Sequence, residues 1–232
     1  MRYAPRILIA VTLVVAASGC TEWSPPWEFW REEPEEKLIE SPSVRMEKFR
    51  AWGAAADNYS PQEQANFAAQ LAQAYNTELA DGDPMIRREA VRALGHFRTQ
   101  TAERILHEAK SDANASVRIA ACEGWGIRGG ENSISELESV LRNEREQDVR
   151  HAAIRALQGI QRDAANPYAV VGALVIALED KDPATRNLTL AALEGVTGRY
   201  YADDADAWRR FAKGEDVPQR QRSLAQSFGF VD

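Results

Sequence analysis

Residues 83–95 read DPMIRREAVRALG. Asp-Pro opens the stretch, an apolar residue and an arginine follow, and small or apolar residues then recur at the spacing of one helix face. The phrase returns in altered form on both sides. With Ile86-Arg87 as reference, Val117-Arg118, Val149-Arg150 and Thr185-Arg186 follow at steps of 31, 32 and 36 residues. Beyond each arginine the columns read Ala90, Ala121, Ala153, Thr189, then Val91, Cys122, Ile154, Leu190, then Leu94, Trp125, Leu157, Leu193. Upstream, SPSVRMEKFRAWG repeats the phrase with Ser41-Pro42, Val44-Arg45, Phe49, Trp52 and Gly53.

Helical columns repeated at such a period predict an all-α fold, an α-solenoid of stacked helix pairs. One pair cannot bury its apolar face alone, and stacked copies can. Ser41-Pro42, Asp83-Pro84 and Asp182-Pro183 read as helix starts, because a short polar side chain caps free N–H groups and proline fits the first turn. Gly95 and Gly126 are placed where those helices should end. The partner helices are PQEQANFAAQLAQAYNTEL, TAERILHEAK, SISELESVLRNE and PYAVVGALVIALED. The last is apolar nearly all round, which predicts a helix covered on several faces.

D-P-x-[apolar]-R-x-x-A-[apolar]-x-A-L-G is similar to the second helix of HEAT repeats, particularly the short bacterial kind, and the resemblance covers roughly residues 41–198. It implies an arginine–aspartate ladder between turns. Arg45, Arg87, Arg118, Arg150 and Arg186 match the arginine position. Asp83 and Asp182 match the aspartate, whereas Ser41, Asn114 and Glu146 replace it, which leaves an incomplete ladder as the expectation. Residues 199–232 break the pattern. Tyr200, Tyr201, Trp208 and Phe211 are expected to cap the open end of the core, with Asp203 or Asp204 near the start of a last helix; an aromatic binding site is the other reading. Aromatics placed this way after the last repeat also resemble the ends of some HEAT-repeat proteins of planctomycete-like bacteria.

Residues 1–19 combine two arginines in MRYAPR with the apolar run ILIAVTLVVAA, too short to span a bilayer as an ordinary helix, and so read as a secretory signal. Ala17-Ser18-Gly19-Cys20 resembles the lipobox of bacterial lipoproteins, with Ala17 in place of the usual leucine. The resemblance implies cleavage before Cys20 and a diacylglycerol on its thiol; the alternative is a plain signal peptide with an incidental cysteine. Two acyl chains on one cysteine suffice for firm anchoring. Cys122 is then the only other cysteine, so no internal disulfide can form. Thr21 follows the lipid site, not the aspartate that holds some lipoproteins at the inner membrane, which favours the outer membrane. Residues 20–40 form a Pro/Trp/Glu-rich linker. Its tryptophans could sit at lipid headgroups or cap the first repeat, and the many neighbouring acids favour the cap.

A net charge of −7 over 232 residues argues against general nucleic-acid binding. His96, His107 and His151 form no metal-ligand motif, no glycine-rich phosphate loop or nucleophile elbow is present, and Cys122 falls in an apolar column. Within the resemblance, one enzyme group, the deoxyhypusine hydroxylases, binds di-iron through several His-Glu pairs. Only His107-Glu108 has that form here, which cannot assemble such a site. The expectation is therefore no enzyme activity, no cofactor, no metal and no small-molecule substrate. What remains is surface. The outward columns of the second helices read Arg50, Arg92, Glu123, Arg155, Ala191 and Met46, Arg88, Ile119, His151, Asn187. They gather Arg88, Arg92, His151 and Arg155 on one side, either as a groove for an acidic partner segment or acidic glycan, or as a solvated helix face. The expected role is a membrane-tethered scaffold that binds another protein. The alternatives are an accessory subunit for an enzyme or its cofactor assembly, and a structural envelope component.

Overall fold

Most repeats begin with a capped turn, and the caps explain where those helices start. In the computed structural model, which describes residues 40–77, 82–160 and 167–219, Ser41 accepts the N–H of Val44, Asp83 that of Met85, Asn114 that of Ser116 and Asp182 that of Thr185. Ser60 and Glu63 close a reciprocal capping box at a further start. Ten α-helices and no strand occur among the described residues: α1 Pro42–Ala54, α2 Pro61–Thr77, α3 Pro84–Leu94, α4 Gln100–Ala109, α5 Ala115–Arg128, α6 Gly130–Asn143, α7 Gln147–Ile160, α8 Pro167–Val175, α9 Pro183–Thr197 and α10 Ala205–Ala212. The expected all-α solenoid is what the chain forms. The signal segment, Cys20 and most of the linker fall outside the described residues, as does the tail beyond residue 219.

The helices stack in two layers. Odd-numbered helices pack on one another in sequence, α1 on α3, α3 on α5, α5 on α7 and α7 on α9, while α2–α3, α4–α5, α6–α7 and α8–α9 pair across the layers. The apolar columns read from the sequence fill the space between: Ala90, Val91, Leu94, Ala121, Cys122, Ile154, Leu157 and Leu193 are all buried. Burial pushes the Cys122 thiol up to about 12, so it is a packing group. The all-apolar α8 is covered by α6, α7, α9 and α10, as its composition predicts. Leu157 is fully enclosed, and truncation to alanine should destabilise the protein by about 2–5 kcal/mol. Urea unfolding followed by circular dichroism measures it, and a change near zero would show the column to lie off the core.

Small residues let the odd layer close up. A Cβ added at Gly95 would lie 2.6 Å from the Cα of Gly124, and one at Gly126 would lie 3.0 Å from the Cβ of Ala156. Gly126 is therefore not a helix end: α5 runs on through Arg128 and stops at Gly129, whose φ of 65° suits glycine. The repeat uses Gly126 for close approach, and the stop signal lies three residues later.

The arginine ladder has three successive rungs, from Arg87 to Asp180, and its acids are not at the cap positions. Arg87 donates Nε and Nη2 to Asp112, each at 3.0 Å. Arg118 grips Glu144 the same way at 2.7 and 3.2 Å, and Arg150 reaches Asp180 at 2.6 Å. These acids stand two residues before the caps Asn114 and Asp182, and two before Glu146. Each carboxylate also accepts backbone N–H groups of its own turn, from Asn114, from Arg145 and Glu146, and from Asp182. The remaining guanidinium N–H of Arg118, Arg150 and Arg186 goes to carbonyls of the turn before its own helix, such as Asp112, Arg145 and Asp180. A rung thus ties an arginine to two successive turns, and the substitutions at Asn114 and Glu146 remove none of these rungs.

A compact cap closes the far end. Tyr201 and Trp208 are buried and meet edge to face with ring centroids 4.7 Å apart. Trp208 donates its indole N–H to the carbonyl of Ala202, Tyr201 its hydroxyl to that of Val217, and Asp204 caps α10 through Ala207. Tyr200 is only partly covered and lines an outer hollow.

Candidate functional site

The outward face of the odd layer carries the four residues singled out from the sequence, and the structure treats each differently. Arg88 is half-buried and donates to the Oε1 of Glu89 at 2.6 Å. Glu89 also accepts from Arg50 of α1 at 3.0 Å through its other oxygen, with only 1% of its side chain accessible. Burial alone would push the Glu89 carboxyl up, and the two guanidinium groups outweigh it, so its pKa lies below the ordinary glutamate value. Sequence reading passed over Glu89. The signal was there: it falls on the stripe of Ile86 and Ala93, the side of α3 that turns toward the core.

His151 is also engaged. Its Nε2 lies 3.0 Å from the hydroxyl of the buried Thr185, which in turn donates to the capping carboxylate of Asp182. Arg92 lies on an exposed column and approaches Glu123 of α5 at 3.5 Å, both side chains roughly half accessible. Arg155 is exposed and makes no ion pair or hydrogen bond among the described residues. The next position in its column is Ala191, so the neighbouring repeat supplies no acid. Arg88 and His151 are thus bound into the fold, whereas Arg92 and Arg155 border open surface.

Between Arg92 and Arg155 lies a groove of about 430 Å³ over the packing line of α5 and α7. Its floor is made of small residues, among them Gly126, Ala156 and Gly159. Ile127 stands beside it with 39% of its surface exposed, one of few large apolar side chains so exposed among the described residues. Ile127 escaped the sequence reading because that reading ended its helix at Gly126.

On the even layer, His107 and Lys110 of α4 both contact Glu136 of α6. No group of three or more His, Cys, Asp or Glu side chains among the described residues could hold a metal ion, and no helix among them is long and apolar enough to cross a membrane.

The carboxylates that hold the layers give a pH signature. In Glu89, Glu136 and Glu144 burial pushes the pKa up, hydrogen bonds from Arg50, Lys110 and Arg118 respectively outweigh it, and all three lie below 4.5. The unfolded chain therefore takes up protons first, and stability present above pH 4.5 is lost as pH falls through the folded-state values. Urea midpoints measured between pH 7 and 3 should be level at first and then fall. Glu89→Gln should make that fall shallower, and an unchanged acid slope would remove Glu89 from the account.

Residues 69–158 match a known protein family, HEAT repeats. The match runs from within α2 to near the end of α7 and covers the ladder's first two rungs, from Arg87 to Glu144. No curated protein matches the chain.

Proposed function

We propose that this chain is a non-catalytic scaffold that binds another protein through its solenoid surface, tethered to a membrane by lipid on Cys20. The chain carries a HEAT-repeat domain, and HEAT repeats generally mediate contacts between proteins. The observation that carries the reading is the row of odd helices, locked rung by rung, whose outer columns are left uncovered by the other described helices. Such a face presents side chains from several repeats at fixed spacing with little ordering left to do on binding. Tethering rests on the lipobox-like Ala17-Ser18-Gly19-Cys20, and the same signal supports a position outside the cytoplasm, with the outer membrane favoured. The partner would present an acidic segment, since Arg92 and Arg155 are the cations at the open groove.

In-cell crosslinking of the tagged protein, followed by mass spectrometry, tests the role. One stoichiometric protein partner supports it; many abundant envelope proteins at low yield would favour a structural component. Arg92→Glu combined with Arg155→Glu should leave the urea midpoint nearly unchanged and weaken that partner at least tenfold. Unchanged affinity in the folded double variant would separate these arginines from binding. Cys20→Ser should release the protein from the membrane fraction, and its retention there would remove the lipid tether.

A further inference from the structure

We propose that the groove between α5 and α7 seats a polypeptide segment carrying an aliphatic or aromatic side chain within two residues of a carboxylate, an inference that rests on the protein-binding reading and gives it a site and a chemistry. Two independent features converge there. The first is apolar. Gly126 and Ala156 bring the two helices into contact, whereas a Cβ at Gly159 would meet nothing within 4 Å, so the floor opens into a hollow at that end. Ile127 is left 39% exposed beside it, on a face whose other outward positions are mostly polar. An apolar side chain laid over Gly159 and against Ile127 would remove that surface from water without displacing any protein group.

The second feature is the charge. Arg155 has no partner among the described residues, so an incoming carboxylate would break no ion pair among them. Arg92, on the other rim, pairs at 3.5 Å with the half-exposed Glu123, which also lines the groove, so an incoming anion would share Arg92 with it and meet Arg155 alone. By contrast Arg50 and Arg88 are committed to the buried Glu89, and Arg87, Arg118 and Arg150 to the ladder. On a chain of net charge −7, an acidic segment would be drawn to a rim where two arginines flank an apolar floor. The groove is open and shallow, which suits a side chain borne on a peptide better than an enclosed small molecule.

The test uses the mature chain as bait for a displayed library of random twelve-residue peptides. Enriched peptides should pair Leu, Ile, Phe or Trp with a nearby Asp or Glu. Synthetic versions should bind at least tenfold more weakly to Arg155→Glu and to Ile127→Ser, and equally well to Lys213→Glu just beyond α10. Replacing the peptide acid by lysine should restore binding to Arg155→Glu. Urea midpoints of the variants confirm that each remains folded. No enrichment, enrichment without the acid–apolar pairing, or binding indifferent to both groove variants would overturn the proposal. The two readings fail separately: a crosslinked partner whose contacts map to other helices keeps the scaffold and removes this site, whereas groove-dependent peptides with no cellular partner keep the site and remove the scaffold.

Discussion

Asp112→Ala is expected to lower the unfolding free energy by about 3–5 kcal/mol, because it breaks a buried ion pair from one side. Asp112 is 1% accessible and receives two guanidinium hydrogen bonds from Arg87, itself 9% accessible. The substitution takes from the buried Arg87 the carboxylate that accepts two of its N–H groups, and it frees the N–H of Asn114 that the same carboxylate accepts. Removing both partners, as Arg87→Leu with Asp112→Leu, should cost less than Asp112→Ala alone, since no unpaired charge remains. Urea denaturation of the two variants measures the difference. A loss below about 1 kcal/mol in Asp112→Ala would mean that Arg87 finds water and that the rung carries only the weight of a surface pair.

Trp208→Ala should be of similar size, about 3–5 kcal/mol, for a different reason: it empties the centre of the terminal cap. Trp208 is fully enclosed, meets Tyr201 edge to face, and anchors the carbonyl of Ala202, which sits at a positive φ of 54° that alanine adopts only when held. In a stacked fold each repeat leans on its neighbours alone, so the damage should stay local. Hydrogen exchange read by mass spectrometry should show protection lost in α8 to α10 and kept in α3 and α5. Uniform loss along the chain would show instead that the stack unfolds as one unit.

Much of this architecture was readable in the phrase DPMIRREAVRALG and its copies. The caps at Ser41, Asp83 and Asp182 were legible because capping needs a particular side chain at a particular backbone position. The core columns were legible because burial repeats with the helix. The ladder was misplaced by two residues, for a physical reason. A rung needs only a carboxylate within reach of a long guanidinium, and Asp112, Glu144 and Asp180 meet that need with two side-chain lengths at uneven spacing. The conspicuous Asp-Pro positions serve the backbone instead. Gly126 misled because glycine at a helix end and glycine at a close crossing look alike until the neighbouring helix is in place. The groove was half legible: Arg92 and Arg155 stood out as charges on an outward column, while Arg88 looked equally free until Glu89 proved to be buried beside it. Which cations stay available is decided by the helix next door, and a single helix pattern does not carry that information.

The rungs have a further consequence for how such a chain can change length. Each arginine asks of the following turn only a carboxylate that also ties down its own backbone, and aspartate and glutamate answer that request alike. A copy lost between two turns would therefore leave an arginine facing an acid of the same kind, with no specific partner to be rematched. The fold is indexed by a repeated joint, so its reach can be lengthened or shortened by whole units while every joint stays the same.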